Sequence, residues 1–238
     1  MLRKIRRLFK SSKPNVHAGH SHGHHHHNDD NKEDSELAWQ KVWAKEFASS
    51  ATQALCLEYW QKHRFLDDLK SVTKIGPHSK VLDVGCGISS VLHFVEGERY
   101  GIDPLAEEYK KLYAYPQELN IVAAPGELIP FEDDEFDVVF NSNVLDHVTD
   151  PVQTLGEIRR VLKPDGFFVL TVELFPDGVD RDDPHHPHTL TKSILLEMVK
   201  KQFEVKYQNE SPWIGLRGYM RGFREGHNTE IILVLQQY

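Results

Sequence analysis

Two rhythms of hydrophobic spacing divide this chain. From position 35 to about 73 there is no proline or glycine, and apolar residues recur at Trp39, Val42, Trp43, Phe47, Ala51, Leu55, Tyr59, Phe65, Leu66 and Leu69. That is the period of helices with one buried face, so one or two helices are predicted, with Ser35 as N-cap. Beyond Pro77 the apolar runs shorten and alternate with longer periodic stretches. Strands are predicted at 80–84, 99–103, 120–123, 136–140, 167–172, 203–207 and 229–236. Helices are predicted at 89–95, 105–114, 150–162 and 190–201, with Lys163-Pro-Asp-Gly166 as a turn. Strand alternating with helix implies an α/β fold, a doubly wound and mostly parallel seven-stranded sheet with helices on both faces.

The first strand ends in Val84-Gly85-Cys-Gly87-Ile-Ser-Ser90. Glycines suit positions 85 and 87, where the backbone must turn tightly and approach a ligand that a Cβ would block. Sixteen residues on, Tyr100-Gly-Ile-Asp103 closes the second strand on a carboxylate, which can accept hydrogen bonds from both hydroxyls of a ribose. Dinucleotide-binding turns carry a third glycine, at the position of Ser90 here, so a dinucleotide-dependent oxidoreductase is disfavoured.

Four more segments follow: Glu127-Leu-Ile-Pro-Phe131, Phe136-Asp-Val-Val-Phe140, Val144-Leu-Asp-His-Val-Thr-Asp-Pro151 and Glu157-Ile-Arg-Arg-Val-Leu-Lys-Pro-Asp-Gly166. With the glycine turn and Asp103, they resemble the class I S-adenosylmethionine-dependent methyltransferases, in the small-molecule, type 11-like branch. The resemblance runs from about residue 75 to about 172. It implies a Rossmann-like sheet whose last strand is antiparallel, S-adenosyl-L-methionine as cofactor, and a small-molecule or lipid-linked methyl acceptor. By the same resemblance Asp83, Gly85 and Gly87 face the methionine end, Asp103 the ribose, and Ile102 and Ile129 the adenine. Asn141 and Ser142 lie near the sulfonium. Two positions depart from the pattern: Ser89 replaces a glycine, and Pro125 stands where an acid usually meets adenine, leaving Glu127 as its substitute. A catalytically silent cofactor-binding module is the alternative reading.

Methyl transfer from a sulfonium requires positioning, and a base only for an acceptor that must lose a proton. His147, just past the fourth strand, is one candidate. The others lie in Asp182-Asp-Pro-His-His-Pro-His188, where His185, His186 or His188 can act as base or orient an acceptor, or join Asp182 and Asp183 around a metal; no metal ligand set is assigned from sequence.

The chain has 238 residues and a formal net charge of −8. Residues 1–34 form a basic, histidine-rich tail ahead of a single domain spanning 35–238, with helices at 35–73 and an α/β core at 75–238. The tail holds seven Lys and Arg against four Asp and Glu, so the domain is strongly acidic and unsuited to nucleic acid. Leu2, Ile5, Leu8 and Phe9 share one helical face with basic residues on the other, which suits residues 1–13 to peripheral contact with an anionic membrane. Seven histidines between positions 17 and 27 cannot build a core and can bind transition metals loosely. Two distant cysteines, Cys56 and Cys86, fit a reducing compartment, hence a cytoplasmic location, peripheral at the inner face of a membrane. Oligomeric state is not legible.

Overall fold

The computed structural model describes residues 28–179, 186–212, 215–216, 219 and 228–238. Residues 1–27, with the membrane contact expected of residues 1–13, lie outside this set. So do Asp182, Asp183 and His185, and the side chains of Ser35 and Trp39. In chain order the elements are α1 (Asn28–Phe47), α2 (Ser50–Lys62), α3 (Leu66–Thr73), β1 (Lys80–Val84), a 3-10 turn (Val91–His93), β2 (Glu98–Asp103), α4 (Ala106–Leu112), β3 (Leu119–Ala123), β4 (Phe136–Ser142), α5 (Pro151–Val161), β5 (Leu162–Leu174), α6 (Lys192–Val199), β6 (Phe203–Pro212) and β7 (Thr229–Gln237).

The strands form one sheet in the order β3-β2-β1-β4-β5-β7-β6. β7 runs antiparallel to both β5 and β6, and the remaining pairs are parallel, as expected. Strand composition follows position in the sheet. Central β1 is buried along Val81–Val84 and β7 along six consecutive residues, because helices or turns cover both their faces. Edge strand β6 alternates buried or half-buried with exposed positions, one side facing water.

Alternate residues feed two cores. Leu82, Val84 and Ile102 pack with Leu155, Ile158 and Leu195 from α5 and α6. Val81, Val138 and Phe140 pack with Tyr59, Trp60, Leu66 and Leu69 from α2 and α3. α5 is set by local signals: the Asp150 carboxylate accepts from the amides of Val152 and Gln153, Pro151 occupies the first turn, and Thr154, Leu155, Ile158 and Val161 form its buried stripe.

Several boundaries differ from expectation: the segment before β1 folds into three helices where one or two were expected, and β6 runs to Pro212 where Tyr207 was expected. α1 starts at Asn28, seven residues before Ser35, because the polar run before Ser35 continues the helix instead of ending it. The helix expected at 89–95 is only the three-residue 3-10 turn. Val91, His93, Phe94 and Val95 are weak helix formers, and the Ser90 hydroxyl bonds Asp83 while accepting the Leu92 amide. Finally, β5 begins at Leu162 rather than Phe167. Phe136 pairs with Leu162 and Val138 with Phe167, so the Lys163–Gly166 turn is absorbed into the strand as an irregularity in register.

A buried ion pair ties the helical segment to the end of the chain. Arg64, between α2 and α3, lies 2.7 Å from Glu230 on β7, and the two side chains are 7% and 1% exposed. The guanidinium also donates to the Tyr59 hydroxyl at 3.2 Å and lies over the Trp60 ring. Burial raises the Glu230 carboxyl above the ordinary range, with Arg64 pulling the other way. Arg64→Ala should destabilise the fold by about 3–5 kcal/mol by stranding Glu230, whereas the double change Arg64→Met with Glu230→Leu should recover most of that loss. Urea unfolding checks both; a single variant as stable as the parent would show that the pair holds nothing together.

Candidate functional site

The carboxyl ends of β1, β2 and β4 converge on the glycine turn. The amides of Gly85 and Cys86 both donate to the carbonyl of Ile102, at 2.8 and 3.0 Å, which closes the turn against β2. Gly85 has φ 77°, and a Cβ there would fall 2.5 Å from the Val144 side chain. Gly87 has φ 50°. Both expected glycines therefore occupy left-handed backbone, and Gly85 additionally lacks room for any side chain.

Asp103 holds the turn from the other side. One carboxylate oxygen accepts from the Gly87 amide at 3.2 Å and the other from the Leu105 amide at 3.0 Å. Asp83 sits lower, 2% exposed, with Oδ2 accepting from the Ser90 hydroxyl at 2.6 Å. The sequence marked Ser90 only as a missing glycine; its bond to Asp83 is an additional role. Burial pushes Asp83 up to about 7, Ser90 and Arg64 opposing and Asp103 adding to the rise. Burial likewise pushes Asp103 up to about 6 against its amide donors. The thiol of Cys86 is raised well above its usual range by burial, so it stays protonated and is no nucleophile.

At the end of β4 and just beyond it, three successive side chains carry buried oxygens that find no hydrogen-bond partner among the described residues: Asn141 Oδ1, Ser142 Oγ and Asn143 Oδ1. Asp83 Oδ1 and Thr171 Oγ1 share that condition on the neighbouring strands. The Asn141 amide group itself donates to the Val84 carbonyl at 3.1 Å, joining β4 to β1. Buried polar atoms without partners are rare because each loses its hydration. Five of them around one set of strand ends mark a place built for a polar ligand.

Other expected residues are placed differently. Ile102 is fully buried in the core, so its carbonyl, and not its side chain, reaches the turn. Ile129 is sealed too, whereas its neighbour Leu128 is 69% exposed. Glu127 is engaged in the scaffold: its Oε1 accepts the amides of Thr149 and Asp150, at 2.6 and 3.1 Å. Arg160 and Glu157 on α5 hold the same loop through the backbone of Ile129 and Phe131.

Sequence reasoning predicted helices ahead of the first strand but missed that Gln40 and Tyr115 reach the glycine turn. The Gln40 side-chain oxygen accepts the Ile88 amide at 3.2 Å, its nitrogen donates to Glu36, and it lies 3.1 Å from where a Gly87 Cβ would be. The Tyr115 hydroxyl donates to the Gly87 carbonyl. These contacts span 48 and 28 residues, beyond any local motif.

The histidine candidates come together only in part. His188 donates its amide to the Asp146 carbonyl and sets its ring 3.0 Å from the Val148 carbonyl, pinning the loop after β5 to the loop after β4. His147 and His186 then meet, ring centroids 4.2 Å apart.

Fold and strand-end geometry define a Rossmann-like α/β domain with its candidate site at the carboxyl ends of β1, β2 and β4. Residues 82–170 match the family model described as a methyltransferase domain, which bears out the resemblance read from the motifs. The chain is 31% identical over 117 residues to the sterol 24-C-methyltransferase erg6 of Aspergillus fumigatus, covering 45% of this chain and 31% of that protein. It is 32% identical to the cycloartenol-C-24-methyltransferase of Arabidopsis thaliana, covering 47% and 36%. The match thus spans about a third of these relatives. Among solved structures, the [4+2]-cyclase SpnF superposes with TM-score 0.58 at 18% identity, covering 73% of this chain and 80% of that one. The YcgJ protein of Bacillus subtilis superposes with TM-score 0.53 at 17% identity, covering 74% and 99%.

An acid whose folded value lies above its unfolded one keeps its proton in the fold across that interval. Folding then takes up protons, and stability falls as pH rises from about 4 to about 7 through the Asp83 and Asp103 values. Asp83→Asn should flatten this decline and leave the ligand-free chain more stable at pH 7.5. Urea midpoints at several pH values read the slope; an unchanged slope would mean that Asp83 is ionised throughout.

Proposed function

We propose that the chain is an S-adenosylmethionine-dependent methyltransferase acting on a small-molecule or lipid-linked acceptor. The observation that carries this reading is the Asp103 carboxylate, bridging the Gly87 and Leu105 amides beside a set of unpartnered oxygens at the ends of β1 and β4. Together they offer a diol acceptor, backbone free of side chains, and oxygen lone pairs suited to a cation. The residues fit the cofactor, which when bound supplies a methyl group already activated on sulfur.

In this reading Asp103 exchanges its amide bonds for ribose hydroxyls, and the Gly85–Gly87 turn gives the methionine portion its room. Asn141, Ser142 and Asn143 stabilise positive charge through their oxygens. Exposed Leu128, rather than buried Ile102, supplies the apolar wall for adenine, with Glu127 fixing its loop. Gln40 and Glu36 on α1 cover the turn and exclude water. His147 and His186, at the acceptor side, are the side chains placed to take a proton, while His188 positions their loops. A dinucleotide is disfavoured further, because the 3-10 turn lacks the long helix whose amino end would receive a pyrophosphate.

An apolar acceptor is supported by the relatives named as sterol methyltransferases. No helix among the described residues is long and apolar enough to cross a membrane. The shared fold of a [4+2]-cyclase supports a second reading, in which the cofactor pocket is kept without methyl transfer.

Calorimetry tests the first reading. S-adenosylmethionine should bind, and Asp103→Ala should weaken binding by about 1–3 kcal/mol, roughly 5- to 150-fold. Affinity should also rise with pH through 6–7 as the two carboxyls ionise, by up to about tenfold per pH unit for each proton released. Binding of NAD(H) without S-adenosylmethionine would end the proposal; S-adenosylmethionine binding without methyl transfer to any lipid or small-molecule fraction would favour the second reading.

A further inference from the structure

We propose that Asp146, His147 and His186 form a binding site for one divalent first-row transition metal ion, at the outer end of the loops that follow β4 and β5. One ligand atom from each lies within 4.8 Å of the others. The proposal does not depend on methyl transfer; with the ion bound, His147 and His186 act as its ligands and not as proton acceptors.

Three observations support it. The first is chemical: two imidazoles and one carboxylate are a donor set that zinc, iron, cobalt and manganese share, with coordination positions left open. The second is spacing. His147 Nε2 lies 3.8 Å from Asp146 Oδ1, and His186 Nε2 lies 4.0 Å from Asp146 Oδ2. Both separations are too long for direct hydrogen bonds. Two ligands on one ion, each about 2.0–2.2 Å from it, are separated by roughly 3.0–3.4 Å at ordinary coordination angles. Modest turns of two imidazoles close the remaining gap, and that torsion is soft.

The third is how the site is assembled. Asp146 is 3% exposed, while the imidazoles of His147 and His186 are 28% and 22% exposed. The carboxylate is buried and solvent reaches both imidazoles in part. The two segments are also joined outside the cluster. His188 joins them independently, through its amide to the Asp146 carbonyl and its ring to the Val148 carbonyl. His186 is therefore delivered to His147 by a separate backbone-directed brace, and much of the ordering that metal binding requires is already present.

Asp146 and His147 follow Val144, whose side chain borders the Gly85 turn, by two and three residues. An ion there would present open positions to an oxygen-bearing ligand at the acceptor side of the domain.

The seven histidines at positions 17–27 would obscure the measurement, so it uses the full-length chain with those residues changed to serine. Titrated with Co²⁺ alone, this chain should take up one ion saturably, with a visible d–d absorption band, and Zn²⁺ should displace it. His147→Ala with His186→Ala should abolish the band and weaken uptake beyond the roughly 10–100-fold loss typical of second-layer partners. Circular dichroism without metal verifies the fold of this double variant. Thermal melting gives an independent readout: Zn²⁺ should raise the midpoint of the serine-tract chain and leave that of the double variant unmoved. Absence of a band and of a midpoint shift in the serine-tract chain, or either signal persisting in the double variant, would overturn the site. Cofactor calorimetry on the same samples reads the methyltransferase proposal separately.

Discussion

Two buried carboxylates at neighbouring strand ends constrain everything above the sheet. Asp103 is compensated by two backbone amides, and Asp83 by one serine hydroxyl and the more distant Arg64. Neither has a cation in hydrogen-bond contact among the described residues, so burial raises both toward neutrality. Keeping such groups in a fold is unfavourable unless their surroundings are fixed. The glycine turn, the Ile102 carbonyl that receives two of its amides, and the Ser90 hydroxyl supply that fixation. The strand ends are thus held ready for a ligand that brings its own hydrogen-bond donors and positive charge.

The same economy of fixed backbone appears at the acceptor side. Glu127 was expected to face adenine and instead ties two loops together through the amides of Thr149 and Asp150. Arg160 and Glu157 hold the stretch around Ile129 against α5. These contacts leave Leu128 exposed at a defined place. His188, expected as a catalytic candidate, braces the loop that brings His186 to His147. In both loops a residue read as chemical ties backbone together, while Leu128 stays exposed and the imidazoles of His147 and His186 stay partly exposed.

What could be read beforehand follows the range of the forces involved. β1, β4 and β7 were legible because full burial demands unbroken apolar runs, and β6 because an edge strand alternates. Asp103 was legible from its place after a short strand sixteen residues beyond Gly87. The turn at 91–93 was misread as a helix because its apolar spacing is helical, while the competing Ser90–Asp83 bond is formed only in the folded chain. Gln40 and Tyr115 were invisible for the same reason: each reaches the turn across tens of residues, and no periodicity encodes such a contact. The burial of the Ile102 side chain was not legible, because strand position identifies a residue's neighbourhood but not which side of a twisted sheet stays open.

The relatives share about a third of their length with this chain, and the fold also serves a cyclase, so the decisive question is where a cofactor lies. A crystal structure with S-adenosylhomocysteine answers it most directly. The account predicts density for the ribose against Asp103, with the amino-acid portion over the Gly85–Gly87 turn. Density at any other location, with Asp103 still bridging Gly87 and Leu105, would contradict it.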